Sequence, residues 1–245
     1  MTVILLRHGR STSNTAGTLA GRSEGVELDD LGREQADRVV TRLAGLTIGA
    51  IVRSPLLRCE QTVAPLASAL GLEPVVEDRL VEVDYGDWTG KPIKDLVGES
   101  LWKVVQQHPS AAVFPGGEGL ADVQLRAVRA IREHDARLAA EAGSDVVWVA
   151  CSHGDVIKSV LADALGSHLD QFQRIVVDPA SISIVRYTET RPFVHRVGDL
   201  GGDLSQFVPK PKSEEPADEE KSDQPESGES EASESDAVPG GSTGR

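Results

Sequence analysis

Short apolar runs alternate with segments of helical periodicity along the first 200 residues, and this alternation restricts the possible folds more than any other feature. The runs that read as strands are Val3–Leu6, Ala50–Val52, Val146–Cys151, Ile182–Tyr187 and Phe193–Val197, and the segments that look extended are Pro74–Val76 and Leu80–Val83. The segments that read as helices are Asp30–Ala44, Leu56–Leu70, Leu120–Ala142 and Asp155–Leu165. Strands that alternate with helices predict an α/β sandwich around a mostly parallel sheet.

The C-terminal segment has a different composition. From Pro209 to Arg245 it has few large apolar residues and is rich in Glu, Ser, Pro and Gly. It holds 11 acidic and 4 basic residues, a net charge of −7, which is half of the formal −14 of the whole chain. Such a segment buries too little apolar surface to offset its ordering entropy. We therefore predict one domain over residues 1–208 and a disordered acidic tail over 209–245.

Charge and cysteine content exclude several classes of protein. Residues 1–208 carry the other −7 of the net charge, whereas a broad nucleic-acid surface would be basic. The N-terminus lacks the features of a signal peptide, and Val3–Leu6 is too short to cross a bilayer. Cys59 and Cys151 form no disulfide framework, so we expect both to be reduced and buried. We expect a cytoplasmic protein that binds neither nucleic acid nor membrane, with its oligomeric state open.

Two of the predicted strands are followed by the same dipeptide. His8-Gly9 follows Val3–Leu6 and Arg7, and His153-Gly154 follows Val146–Cys151 and Ser152. In open α/β sheets, ligands bind beyond the carboxyl ends of the strands. If the two strands are neighbours, the two histidines face each other at the place where a ligand binds.

Arginines are predicted at the same edge of the sheet. Arg7 precedes His8, and Arg58 lies in the first turn of the helix that follows Ala50–Val52. Guanidinium groups bind phosphate oxygens through bidentate, charge-assisted hydrogen bonds, so a cationic pocket in an acidic protein indicates a phosphoryl ligand. Asn14 is a further candidate donor to the phosphate, whereas Arg53 reads as a surface charge.

The motifs also restrict the chemistry. No Walker-type glycine loop and no zinc-binding spacing is present, although two histidines and a glutamate remain possible metal ligands. A neutral His8 could attack phosphorus and form a phosphohistidine. The leaving oxygen then needs a proton, and the segment LVEVDYGDWTG offers Glu82 and Asp84 as the acid. Spacing alone does not choose between these two carboxyl groups.

Five motifs taken together resemble the histidine phosphatase superfamily, the phosphoglycerate mutase-like group. They are RHGRSTSN, SPLLRCEQT, EVDYGDWTG, PGGEG and SHGDV, which occur in this order within roughly residues 2–200. The resemblance implies a three-layer sandwich with a mixed, mostly parallel sheet and a small lid insertion, here about Gly90 to Gly119. In that insertion or just before it, Trp88, Trp102 and Phe114 could shape the substrate site.

The resemblance also assigns roles to residues. His8 matches the phosphorylated nucleophile and Glu82 the proton donor. The phosphate pocket would be formed by Arg7, Arg58 and His153, with Asn14 assisting, and neither a metal nor a cofactor is implied. Two further residues have no assigned role: Arg10, where relatives often have an acidic residue, and Glu118 of PGGEG, which could hold a pocket residue.

Three functions remain possible at this point. The form ExxxGxWxG resembles the phosphatase branch, so we favour a metal-independent phosphomonoesterase that hydrolyses a small phosphorylated metabolite through a phosphohistidine. A phosphoglycerate mutase-type phosphomutase is the alternative. A non-catalytic phosphate-binding protein is the third possibility, but a pure binder has no need of an aligned acid.

Overall fold

A computed structural model describes residues 1–202 of the chain, and its strands form one sheet. The strands of this part are β1 (Thr2–Arg7), β2 (Ile48–Arg53), β3 (Val75–Val76), β4 (Val147–Ser152), β5 (Ile182–Tyr187) and β6 (Pro192–Asp199). The order across the sheet is β3-β2-β4-β1-β5-β6. Neighbours from β3 to β1 run parallel, whereas β5 is antiparallel to both β1 and β6. The mixed, mostly parallel sheet is confirmed.

Helices connect most of these strands. In the described part they are α1 (Thr12–Ala16), α2 (Asp30–Arg42), α3 (Leu57–Leu70), α4 (Ile93–Leu96), α5 (Ser100–Gln107), α6 (Leu120–Ala142) and α7 (Gly154–Ala164). Short 3₁₀ turns lie at Asp78–Leu80, Gly86–Trp88, Pro109–Ala111 and Leu169–Arg174. Helix α3 ends at Gly71, which adopts the left-handed conformation that glycine tolerates best.

The core has two layers, one on each face of the sheet. In β1, Val3 and Leu5 belong to one buried cluster, whereas Ile4 and Leu6 belong to the other. Successive side chains of a strand point to opposite faces, so a strand covered on both sides is apolar throughout. Helices α6 and α7 contribute to the first cluster, and α2 and α3 contribute to the second. The three-layer sandwich is therefore confirmed.

The pairing of β1 with β4 fixes the position of the predicted site. The two strands are parallel neighbours, and Arg7 is the register partner of Ser152. The next residue of each strand is a histidine, so His8 and His153 emerge side by side at the carboxyl edge. This is the arrangement that the repeated His-Gly dipeptide predicts.

The predicted insertion between residues 90 and 119 is helical and packs into the main core. It contains α4 and α5, and Phe114 is buried in the same cluster as the sheet residues Val3 and Trp148. The ring of Trp88 lies 6.3 Å from that of Trp102 and 5.4 Å from that of Phe114, measured between centroids. These aromatic residues anchor the insertion, and its action as a lid stays a prediction.

The segment over residues 80–83, which was predicted to be extended, is not part of the sheet. Residues 80–83 form no strand: a 3₁₀ turn spans Asp78–Leu80, and the backbone continues without regular pairing through Glu82. The apolar alternation of this segment reflects burial of Leu80 and Val83 rather than pairing in the sheet.

The predicted domain boundary at residue 208 and the acidic tail lie outside the described residues. Within the described part, no helix is long and apolar enough to cross a membrane.

Two glycines allow close contact between helix α2 and the loop that carries His8. A Cβ atom added at Gly32 would lie 2.0 Å from the carbonyl oxygen of Arg10, and one added at Gly9 would lie 2.7 Å from the carbonyl oxygen of Gly32. The backbones therefore meet where no side chain fits. This contact holds the loop after β1 against the sandwich.

We predict that Gly32→Ala destabilises the protein by about 1–3 kcal/mol, because the new methyl group overlaps backbone that cannot move aside without shifting the loop. The loss would occur although alanine has the higher helix propensity. Thermal unfolding measures it, with Gly98→Ala as the control, since a Cβ there meets no atom within 4 Å in the described structure. An unchanged melting temperature in Gly32→Ala would contradict the close contact.

Candidate active site

His8 is buried at the end of β1, and a hydrogen bond fixes the protonation of its ring. Only 4% of its surface is exposed. Its Nδ1 lies 2.7 Å from the carbonyl oxygen of Gly9. A carbonyl oxygen only accepts, so Nδ1 carries the proton and donates it. The lone pair of the neutral ring is then on Nε2, which is the atom able to attack a phosphorus centre.

The surroundings of His8 keep its ring neutral. Burial, together with the positive charges of Arg58 and Arg7, lowers the pKa of His8 well below its usual value of 6.5. The hydrogen bond to Gly9 acts in the opposite direction and is a smaller effect. At neutral pH the ring is therefore unprotonated at Nε2, as a nucleophile requires.

His153 faces His8 and presents one free ring nitrogen. The two ring centroids are 5.2 Å apart. The Nε2 atom of His153 lies 2.7 Å from the hydroxyl oxygen of Ser54 and 3.6 Å from the sulfur of Cys59. Its Nδ1 is buried and has no hydrogen-bond partner among residues 1–202. This nitrogen is available to an anionic ligand bound between the rings.

Arg7 and Arg58 bring two buried guanidinium groups to the same place. Arg7 donates through Nη1 to the carbonyl oxygen of Val177 at 2.7 Å. Arg58 donates through Nη2 to the carbonyl oxygen of Gly21 at 2.8 Å, and its buried Nη1 has no hydrogen-bond partner in the described part of the chain. Burial lowers the pKa of both side chains, but arginine remains protonated at any physiological pH. The carboxyl group of Glu82 lies near both side chains, and a bound phosphoryl group would add negative charge beside them.

The structure separates the two candidate acids. Glu82 is 3% exposed, and its Oε1 accepts a hydrogen bond from the backbone amide of Val83 at 2.9 Å. The Asp84 side chain is 39% exposed and lies 3.8 Å from Arg22. Burial, and next the charge of Asp155, raises the pKa of Glu82 to about 7. A carboxyl group with this pKa can both donate and accept a proton near neutral pH, so the geometry favours Glu82.

Asn14 has a local structural role. Its side-chain oxygen accepts hydrogen bonds from the backbone amide and the hydroxyl of Ser11, at 3.0 and 2.9 Å, in a capping box at the start of α1. The side-chain amide nitrogen of Asn14 is the atom that could donate to a phosphate. This contact stays a prediction.

Arg10 and Arg53 are both held by ion pairs. The Nε atom of Arg10 lies 2.6 Å from the carboxylate of Asp29, the residue that caps α2. Arg53 is 2.8 Å from the carboxylate of Glu60. Arg10 is thus tied to the protein rather than extended over the pocket.

Several residues that support the site through hydrogen bonds and an ion pair were not predicted from the sequence. Thr62 accepts a hydrogen bond from the amide of Gly9 at 2.9 Å and donates to the carbonyl oxygen of Arg58 at 2.6 Å, which joins the two predicted site segments. The hydroxyl of Tyr85 donates to Asp155 at 2.8 Å, and the buried amine of Lys158 lies 3.6 Å from the same carboxylate. Thr62, Tyr85 and Asp155 lie within the motifs SPLLRCEQT, EVDYGDWTG and SHGDV, but the sequence assigned them no role, and Lys158 lies outside these motifs.

The cysteines and potential metal ligands of residues 1–202 form neither a disulfide nor a metal site. Cys59 and Cys151 are both buried and free, as expected. No group of three or more His, Cys, Asp and Glu side chains is arranged there to hold a metal ion.

Known proteins share this fold and these motifs. Residues 3–200 match the family described as histidine phosphatase superfamily (branch 1). The chain is 31% identical over 192 residues to phosphoserine phosphatase 1 of Hydrogenobacter thermophilus, covering 77% of this chain and 88% of that protein. It is 32% identical over 190 residues to the probable phosphoglycerate mutase GpmB of Yersinia pestis, covering 77% and 86%. The structure of a mycobacterial glucosyl-3-phosphoglycerate phosphatase in complex with VO3 superposes with a TM-score of 0.72 at 26% identity, covering 80% of this chain and 97% of that one.

The fold and the buried histidine pair define a phosphoryl-transfer type of site. The chain belongs to branch 1 of the histidine phosphatase superfamily. The relatives named above are phosphatases and a probable mutase, which supports phosphatase activity as the kind of chemistry.

Proposed function

We propose that this protein is a metal-independent phosphomonoesterase that hydrolyses a small phosphorylated metabolite through a phosphohistidine on His8. The observation that carries the proposal is the state of His8: a buried ring whose lowered pKa keeps it neutral and whose Nδ1 donates to Gly9, so that the lone pair lies on Nε2. Two buried arginines beside such a ring bind the phosphoryl group that it attacks.

In the first step, the lone pair of His8 Nε2 forms a bond to phosphorus while the ester P–O bond breaks. The electron pair of that bond leaves with the ester oxygen, which takes the proton of Glu82 and departs as an alcohol. Arg7, Arg58 and His153 stabilise the charge on the phosphoryl oxygens, with Asn14 assisting.

In the second step, water replaces the histidine. The Glu82 carboxylate, now deprotonated, takes a proton from the attacking water as the O–P bond forms. The N–P bond breaks, its electron pair returns to His8 Nε2, and inorganic phosphate leaves. Glu82 is protonated again and His8 is neutral again, so the cycle closes. A pKa of about 7 suits Glu82 to both roles.

The pocket and the relatives both support a small phosphate monoester as the substrate class. Two buried arginines and two histidines suit a phosphate monoester dianion, and no nucleic acid or membrane surface is part of the proposal. The names of two relatives, phosphoserine phosphatase and glucosyl-3-phosphoglycerate phosphatase, support small phosphorylated metabolites as substrates.

A phosphomutase is the second candidate. It is favoured by the 32% identity to a probable phosphoglycerate mutase. A mutase must protect its phosphohistidine from water and hold a bisphosphate. We prefer hydrolysis because the segment around Glu82 has the form ExxxGxWxG, which resembles the phosphatase branch.

We predict that the wild-type protein hydrolyses p-nitrophenyl phosphate in the presence of EDTA and that His8→Ala lowers turnover by about 10³-fold or more, because the nucleophile is lost. Release of p-nitrophenol measures the rate. Asp87→Ala is the control, since Asp87 is an exposed carboxylate close to Glu82 in sequence, and it should keep near wild-type turnover.

Three results would contradict the proposal. Activity abolished by EDTA would indicate a metal-dependent site. Equal losses in folded His8→Ala and Asp87→Ala proteins would remove the role of His8. Turnover that requires a bisphosphate primer would favour the phosphomutase.

We predict that kcat/KM for β-glycerophosphate falls as the pH rises through about 7, because the raised pKa of Glu82 means that its acid form is lost there. Glu82→Gln should lower kcat/KM by about 10²-fold or more and remove this alkaline decline. Initial rates between pH 5 and 9 give the profile.

Asp84→Asn is the control for the pH profile, because Asp84 is the other carboxyl group of the same segment. It should keep the alkaline decline. A decline that persists in Glu82→Gln and disappears in Asp84→Asn would assign the acid to Asp84 instead.

A further inference from the structure

The carboxylate of Glu118 is the centre of a hydrogen-bond network beside Glu82. It accepts from Arg22 Nη2 at 2.6 Å, from Arg126 Nε and Nη2 at 2.9 and 3.0 Å, and from the backbone amide of Asp84 at 3.0 Å. Burial opposes its ionisation, but the hydrogen bonds from Arg126 and Asp84 prevail and lower the pKa of Glu118. It is therefore a carboxylate that holds two arginines together.

Both arginines also donate to the backbone of the proposed acid. Arg22 Nε lies 3.0 Å from the carbonyl oxygen of Glu82, and Arg126 Nη2 lies 3.2 Å from the same oxygen. Arg126 Nη1 donates in addition to the carbonyl oxygens of Val81 and Arg79, at 2.8 and 2.6 Å.

This part of the backbone needs such support. Residues 81–84 belong to no helix or strand of the described structure, so sheet hydrogen bonds do not fix them. The carboxyl group of Glu82 is oriented by the amide of Val83, which belongs to the same segment. The position of the acid therefore depends on the backbone that Arg22 and Arg126 hold.

Glu118 is what allows the two arginines to act together. Arg22 Nη2 and Arg126 Nη2 both bind Oε2 of Glu118, so two positive groups converge on one oxygen. Without the negative charge the guanidinium groups repel each other, and Arg22, whose side chain is 36% exposed, is free to turn toward solvent.

We propose that Glu118 is a positioning residue for Glu82, acting through Arg22 and Arg126 to aim the acid at the leaving oxygen. This inference rests on the proposed function. A positioning role differs from a role in fold stability alone, because loss of Glu118 would then affect the proton transfer rather than every step equally.

The test compares two substrates whose leaving groups differ in their need for a proton. p-Nitrophenolate leaves without protonation, whereas the alkoxide of β-glycerophosphate must be protonated. We expect Glu118→Gln to lower kcat/KM for β-glycerophosphate about tenfold or more, and kcat/KM for p-nitrophenyl phosphate less than about threefold. The quantity kcat/KM is used because it reports the step in which the alcohol leaves.

Glu141→Gln is the matched control. Glu141 is also bound by an arginine, Arg137, through two hydrogen bonds of 2.9 Å, but this pair is exposed near the end of α6. Glu141→Gln should leave kcat/KM unchanged for both substrates. Melting temperatures and circular dichroism confirm that each variant is folded. If Glu118→Gln does not fold, Arg22→Gln is tested in its place, because it removes one donor to the carbonyl oxygen of Glu82. The same comparison of kcat/KM for the two substrates then applies.

A double variant tests the route of the effect. In a Glu82→Gln background, Glu118→Gln should cause no further selective loss for β-glycerophosphate, since the acid is already absent. The inference would be overturned if Glu118→Gln lowered kcat/KM equally for both substrates or for neither. It would also be overturned if the selective loss for β-glycerophosphate persisted in the Glu82→Gln background. If Glu82→Gln itself shows no selectivity between the substrates, the proposed function fails rather than the role of Glu118 alone.

Discussion

The parallel pairing of β1 with β4 is the contact on which the site depends. With Arg7 in register with Ser152, the residues that follow the two strands emerge at one point of the sheet edge. A slip of one residue would turn every side chain of β1 to the opposite face, which both buried clusters forbid. The core thus fixes the distance between His8 and His153, and the geometry of the candidate site is a consequence of packing.

Electrostatics then decides what the two histidines can do. Burial and the positive charges of Arg7 and Arg58 lower the pKa of both rings well below the usual value. The same burial, with Asp155 nearby, raises the pKa of Glu82 to about 7. One environment therefore keeps both imidazole rings unprotonated and leaves part of the Glu82 carboxyl population protonated near neutral pH, which is the combination that a nucleophile and a proton donor require.

Much of the fold was predictable because its signals are local. The apolar runs that become β1 and β4, the helix α6, and the left-handed end of α3 at Gly71 all depend on residues close together in the chain. The convergence of His8 with His153 followed from the rule that ligands bind at the carboxyl edge of a sheet.

The unpredicted features depend on partners that are distant in sequence. The segment around Glu82 reads only as extended backbone, and the sequence does not show that the carbonyl oxygen of Glu82 accepts hydrogen bonds from Arg22 and Arg126. Thr62 supports Gly9 across two elements of the sandwich. Thr62 and Glu82 each lie in a recognised motif, but a motif does not show which distant residue a side chain or carbonyl oxygen contacts.

The central claim is a covalent bond between phosphorus and His8, and the most direct measurement is to trap it. The protein would be mixed with a phosphomonoester, quenched in alkali, digested and mapped by mass spectrometry. We expect one phosphorylated peptide, which contains His8, carries a phosphate that is stable in base and lost in acid, and is absent from His8→Ala. Turnover without any such phosphopeptide, or with the phosphate on another residue, would contradict it.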